Sequence, residues 1–379
     1  MPVQDYLGAG PYKEGFARLD ASFDAEPTAT YRKLRDMFLK SEFRRGEAET
    51  LPSPWREYCL ASLEWGAGRD LDALALLDSV GKGRFYFFRY YVAEILLRRL
   101  DMYKLARAEI QAVAAKCPWL WEARCLWAEN LMAVGHADPL KVVRGTVSVP
   151  ESGKSAFLAW RGALELWWGE YDAAVKDLDA AAAMDNPDAL CWRGGSLCRL
   201  GKLQESKRDL DRLLTIDPHD PEGLAWRGEL RRLLGDRKGA LKDLDDLIAI
   251  SGTKPWALVN RALIRLEEKD LDGAWRDFAS LYLNHREAAS SKNPMSAPEM
   301  KKNLEMALKL ARGCRRSDPH LNAGWMHAAG IPQPERPVGG ARLTSWARWA
   351  GLPVPAESPD PNAVTEAQAR AVLKGHPGA

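Results

Sequence analysis

The sequence predicts an all-α protein: a right-handed solenoid of helical hairpins, closed by a capping helix and followed by a Pro-rich C-terminal tail. Three observations carry that prediction. One pattern is written four times between Ser155 and Leu283, in blocks starting at Ser155, Pro187, Pro221 and Pro255 and therefore spaced 32, 34 and 34 residues apart. A period in that range belongs to stacked helix pairs rather than to one compact core. Fainter copies starting at Phe87 and Trp121 fall in phase with the strong ones, each 34 residues before the next. Finally, 379 residues exceed what a single core supports, since such cores stop growing at roughly 250–300 residues.

Taken in order, residues 1–53 form an N-terminal segment with its own capping helix. Residues 1–29 are rich in Gly, Pro and small polar residues and read as irregular, with Tyr6, Tyr12 and Phe16 available to dock on a neighbour. Thr30 opens an amphipathic helix through Tyr31, Leu34, Met37, Phe38 and Phe43, the spacing of a buried stripe, and this helix is expected to cover the first repeat. The solenoid occupies residues 54–283, with repeats starting near 54, 87, 121, 155, 187, 221 and 255. In the repeat from Pro54, Ala61, Gly68, Ala73, Leu77 and Val80 stand where the central blocks carry small or apolar residues. The second helix of the repeat from Trp121, around Asp138 to Val147, has low helix propensity, because Pro139, Gly145 and several β-branched residues fall within it.

Residues 284–330 read as a polar loop followed by the C-terminal capping helix. Ser296-Ala297-Pro298-Glu299 is a capping box, and the helix it opens runs through Met300, Leu304, Leu308 and Ala311. A terminal repeat needs such a cap because its apolar face has no successor. Residues 331–379 form the Pro-rich tail, with short helices expected at Thr344 to Ala350 and from Thr365 to Lys374, the latter ended by Gly375.

The central blocks carry Trp160-Arg161-Gly162, Trp192-Arg193-Gly194, Trp226-Arg227-Gly228 and Asn260-Arg261-Ala262. Deeper in each block come Lys176-Asp177-Leu178, Arg208-Asp209-Leu210, Lys242-Asp243-Leu244 and Arg276-Asp277-Phe278. These blocks resemble the tetratricopeptide repeat (TPR) family, in a variant whose first helix carries Arg-Gly and whose second carries Asp-Leu or Asp-Phe. Gly162, Gly194 and Gly228 match the family's small helix-contact position, Gly169, Gly201 and Gly235 its turn, Ala174, Ala240 and Ala274 its second small contact, and Pro218 its helix-ending proline. Ser206, Lys269 and Asn284 depart from the pattern.

Residue chemistry leads to the same hairpin. Small residues let two helices approach, and Leu178, Leu210, Leu244 and Phe278 recur on one stripe that no repeat can bury alone. Arg161, Arg193, Arg227 and Arg261 recur in step with Asp177, Asp209, Asp243 and Asp277, which predicts one structural, charge-assisted ion pair per block.

The resemblance implies a concave groove lined by first helices. Its register places Trp160, Trp192, Trp226 and Asn260 on that face, with Cys191, Glu222, Trp256, Arg199 and Arg232 nearby. Tryptophans spaced one repeat apart would make a stacking platform for an extended peptide, since Trp and Arg dominate interface hot spots. Rings that merely fill the space between successive first helices would show the same spacing.

Composition excludes other classes. The 54 Lys and Arg nearly cancel the 52 Asp and Glu, leaving a formal net charge of +2, with no field to hold nucleic acid or an anionic membrane. Met1 to Asp20 has no apolar run of the signal-peptide kind and no window of membrane-spanning length occurs, so cytoplasmic residence is expected. The six cysteines form no CxxC pair, His219, His320 and His327 lack helical partners, and neither a metal nor another cofactor is expected. Gly153-Lys154-Ser155 has Ser148 where a phosphate loop needs its opening glycine. Asp245 and Asp246, adjacent on a helix, point apart and cannot share acid/base work. Arg312 to Arg316 with Trp325 is too sparse to mark a nucleic-acid surface.

The function expected is therefore a non-enzymatic scaffold that binds a protein or peptide segment in the groove. One alternative is autoregulation, in which the tail carrying Trp346 and Trp349 occupies that groove. The other, ranked last for lack of room, is an accessory part of a sugar-transferring enzyme.

Overall fold

A computed structural model describes residues 3–8, 10–100, 102–134, 136, 138–251, 255–268, 270, 273–274, 277 and 364–377. The capping helix expected after Ser296, the short helix expected at Thr344, Trp325, Trp346, Trp349 and Phe278 all lie outside these residues. Among the described residues every regular element is helical. Contacts divide the chain into two units, one of residues 1–131, 138–157 and 359–379, the other of residues 132–137 and 158–358.

The second unit holds the regular hairpins: α11 (Glu151–Trp168, from residue 158 on) with α12 (Tyr171–Ala182), α13 (Pro187–Arg199) with α14 (Leu203–Ile216), α15 (Pro221–Leu233) with α16 (Arg237–Ser251), then α17 (Pro255–Glu267). Local chemistry sets each boundary. Asn186 caps α13 by accepting from the Asp188 N–H at 3.0 Å, and Asp220 caps α15 by accepting from Gly223 at 2.6 Å, each followed by a proline in the first turn. The turns inside the hairpins fall at Gly169, Gly201 and Gly235, whose φ values of 94°, 76° and 85° disfavour residues with a Cβ. Helices close on each other where the side chain vanishes: a Cβ on Gly194 would lie 2.7 Å from Cγ of Leu210. Ser206, the departure from alanine, fits the same contact because its hydroxyl donates to the Gly194 carbonyl at 2.8 Å. First helices of successive repeats also touch, α13 against α15 and α15 against α17, so the apolar stripe of each hairpin is covered by its neighbour. This unit is a stack of TPR-like helical hairpins.

The first unit begins with α1 (Val3–Leu7), α2 (Tyr12–Phe23) and α3 (Pro27–Lys40), followed by α4 (Arg45–Glu49). The described part of residues 3–29 is thus largely helical, which corrects the irregular segment expected from its composition. Tyr12, Phe16, Leu19 and Phe23 form a buried stripe on α2, and Gly15 is part of the packing rather than a breaker, since a Cβ there would sit 2.7 Å from the Leu7 carbonyl. Tyr31, Leu34, Met37 and Phe38 are buried on α3, where Tyr58 donates to the Leu34 carbonyl and Ser62 to that of Phe38 at 2.7 Å. Tyr58 and Ser62 belong to α5 (Trp55–Gly66), which pairs with α6 (Asp70–Val80).

Next, a 3₁₀ turn at Gly83–Phe88, α7 (Arg89–Glu94) and a π turn at Ile95–Arg99 make one composite helix against α8 (Tyr103–Lys116). After α9 (Glu122–Ala133) only the four-residue α10 (Lys141–Arg144) stands for a second helix, between Pro139 and Gly145. The C-terminal α18 (Glu366–Val372) belongs to this unit and packs on α6. Thr365 starts it with a full capping box to Gln368.

Candidate functional site

The recurring arginines and aspartates come together as paired forks in the stacked hairpins. Arg193 reaches Asp209 with Nε and Nη2 at 2.7 Å each, and Arg227 reaches Asp243 at 3.0 and 2.8 Å. Arg261 meets Asp277 at 2.6 Å through Nη2, and Arg161 meets Asp177 at 2.8 Å through Nη2. Arg231 adds a second guanidinium to Asp243 at 2.8 Å, as Arg265 does to Asp277 at 2.7 Å. Bridges also join successive repeats, from Arg193 to Asp179 at 2.9 Å and from Arg261 to Asp245 at 2.6 Å. The Asp209 carboxylate holds the Arg193 guanidinium above its ordinary value. These arginines are tied within the framework and offer no free fork to a ligand.

The first-helix face does not present an open row of indoles. Trp226 is 1 % exposed and Asn260 2 %, so neither is reachable, which corrects their assignment to a partner-binding ladder. The cause lies one repeat earlier: Gly195 on α13 leaves a gap that the Trp226 ring fills, and a Cβ on Gly195 would lie 2.6 Å from the ring. Arg199 lies over the ring, its guanidinium carbon 5.0 Å from the centroid. Arg199 and Arg232 are engaged as well, sharing the buried Glu229 carboxylate: Arg199 donates at 3.3 Å, Arg232 at 2.7 and 3.0 Å. Among the described residues, the indole N–H of Trp226 and both amide atoms of Asn260 have no hydrogen-bond partner.

Trp160 and Trp192 keep part of their ring surface, and Glu222 is likewise half-buried, whereas Cys191 is sealed. Trp192 stands edge-on to Trp167 with centroids 5.3 Å apart, both half-buried against the core of this unit. The side chain of Trp256 lies outside the described residues. Space-filling thus accounts for Trp226, while the Trp167–Trp192 pair remains partly accessible.

Two features escaped sequence reasoning. Trp167 lies one residue from Trp168, which masks its phase. Met184, Ile216 and Ile250, at or just beyond the ends of α12, α14 and α16, are 41, 60 and 45 % exposed, one per repeat. Their signal was present in the sequence, an apolar residue in the same position of each block directly before a polar turn.

Burial pushes the Cys198 thiol up to about 12 and raises that of Cys191, so both stay protonated at neutral pH. Among the described residues, no group of three His, Cys, Asp or Glu is placed to hold a metal ion, and no helix is long and apolar enough to cross a membrane.

No family model and no curated protein matches the sequence. Among solved structures, the chain is similar to a tetratricopeptide repeat protein from Parabacteroides merdae, at 17 % identity and a TM-score of 0.48, over 72 % of this chain and 99 % of that one. That likeness concerns the fold, which rests on the hairpins described above.

Proposed function

We propose that this chain, built of TPR-like helical repeats, is a non-enzymatic scaffold that holds a protein segment against the first-helix face of its second unit. The observation that supports this reading is the Trp167–Trp192 pair, two indoles that keep ring surface exposed on an otherwise closed framework. Half-buried indoles are rigid and bury a large area on contact, the properties of an interface anchor. Arg199, one helical face along from Trp192, is held by Glu229 with its side chain only 4 % exposed, so it supports this face from beneath rather than reaching a partner. Trp160 remains a candidate, half-buried like Trp192, whereas Trp226 and Asn260 do not.

The exposed series Met184, Ile216, Ile250 favours a second reading, in which the partner lies along the ends of the second helices. One experiment separates the two. The partner captured by the wild-type chain is purified and titrated against Trp167→Ala/Trp192→Ala and against Ile216→Lys/Ile250→Lys, with folding checked by circular dichroism. The first-helix reading expects the indole variant to lose about 2–4 kcal/mol of binding and the lysine variant to bind normally. The opposite pattern moves the contact to the second-helix ends, and unchanged binding by both variants ends the scaffold-face reading altogether.

A further inference from the structure

Arg89 is buried in the first unit between two carboxylates. Its Nε donates to Glu109 at 2.6 Å and its Nη2 to the other oxygen of the same group, while Nη1 donates to Asp78 at 2.9 Å. One cation against two buried acids leaves an excess of acceptors, and acceptors withdrawn from water need donors. The C-terminal segment supplies them. The Gly375 N–H donates to both Asp78 oxygens at 3.1 Å each. His376 Nε2 lies 3.1 Å from the Leu105 carbonyl, which can only accept, so the proton sits on Nε2; the same atom is 3.9 Å from Glu109. Lys82 and Lys374 are the other charged groups at this contact.

The segment itself is slight. Helix α18 has seven residues, too few to persist alone in water. It is held by Ala369, Leu373 and His376, all buried against the unit. Glycine at 375 lets the chain pass close, since a Cβ there would lie a tight 3.1 Å from Arg89 Nη1 and 3.3 Å from the Asp78 carboxylate. The contact is not flush: a cleft of about 580 Å³, lined by Ala75, Ser79, Lys82, Val372 and Lys374, remains between α6 and the segment. A site made by three packed helices, a short helix seated on it, and three buried anchors with a Gly-His end are the parts of a helix-in-groove peptide complex.

We propose that the face built by α6, α7 and α8 is a peptide-binding site, that its ligand class is a short helix ending in Leu-x-Gly-His, and that the chain's own residues 364–377 are its tethered occupant. The site lies in the other unit from the indole face and is independent of that reading. A tethered ligand competes at an effective concentration on the order of a millimolar, so a free peptide of the same sequence binds well only when the chain's own copy has been ejected.

The test uses the full chain. Gly375→Val/His376→Ala ejects the segment by crowding Arg89 and removing the ring; Leu373→Glu ejects it by charging the apolar anchor. A fluorescein-labelled peptide of residues 364–377 is titrated into each chain by anisotropy. Both variants are expected to bind it saturably and at least about 10-fold more tightly than the wild-type chain does, while a peptide carrying the Gly375→Val and His376→Ala changes does not bind. Equal affinity for wild-type and variant chains, or no saturable binding to either variant up to about 1 mM peptide, overturns the proposal.

Discussion

Glu122, at the start of α9, is buried with the Nε of Arg32 3.8 Å away, and one of its oxygens lacks a hydrogen-bond partner among the described residues. Burial is the largest influence and pushes its carboxyl up to about 7; its own backbone N–H, Arg32 and Arg35 pull the other way, and Glu94 adds to the rise. The folded value lies above the unfolded one, near 4.5, so folding favours the protonated acid. The stability it contributes is complete below that unfolded value and is lost as pH rises through about 7. Glu122→Gln, which keeps the shape and removes the charge, should therefore stabilise the protein at pH 8 by on the order of 2 kcal/mol and change little near pH 4.5. Thermal melts of both proteins at the two pH values check this, and an equal shift of Tm at both would show that charge is not the cause. No sequence pattern marks Glu122, because what distinguishes it is the company of residues from α3, distant in the chain.

In the hairpin elements, spacing alone revealed the ion pairs, because a salt bridge between two helices of one repeat must recur at a fixed separation. What spacing did not reveal is their depth. The Asp243 side chain is 1 % exposed and serves two guanidiniums, whereas the Arg161 and Asp177 side chains are more open. Removing the deep acceptor takes the shared carboxylate from Arg227 and Arg231 together, leaving Arg231 the Gly239 carbonyl at 3.2 Å, so Asp243→Ala should cost about 3 kcal/mol, against distinctly less for Asp177→Ala; chemical denaturation of the two variants measures the difference, and equal costs would refute the role given to depth. The hairpins from Ser155 onward were legible for the same reason as the pairs, with glycine turns, proline starts and small contacts all repeating. Helix α2 was not, because Pro11 and Gly15 look like breakers until the neighbouring α1 explains Gly15. The composite α7 helix, with its 3₁₀ and π turns, has no repeating partner to betray its irregular hydrogen bonding.

For the molecule as a whole, the same periodicity that exposes the fold conceals the site. A tryptophan that recurs once per repeat is equally suited to packing between first helices and to facing a groove, and only a neighbour decides: Gly195 admits Trp226 into the stack, while Trp167 meets Trp192 edge-on and leaves both rings half covered. Charge behaves differently, because it can be summed without knowing where side chains point. The formal net charge is +2, and Arg193, Arg227, Arg232 and Arg261 are each matched to an aspartate or glutamate at hydrogen-bonding distance. A surface whose cations are already paired has little long-range field to contribute, and counterion release on binding should be small. Affinity for the captured protein partner is therefore expected to change less than about 10-fold between 50 and 300 mM salt, where a surface neutralising six or more phosphates would lose about 10³-fold or more. Titrations across that range decide the matter: a steep loss with salt would mean that the binding surface is not the paired framework and its indoles, and would assign recognition to a charged surface elsewhere on the chain.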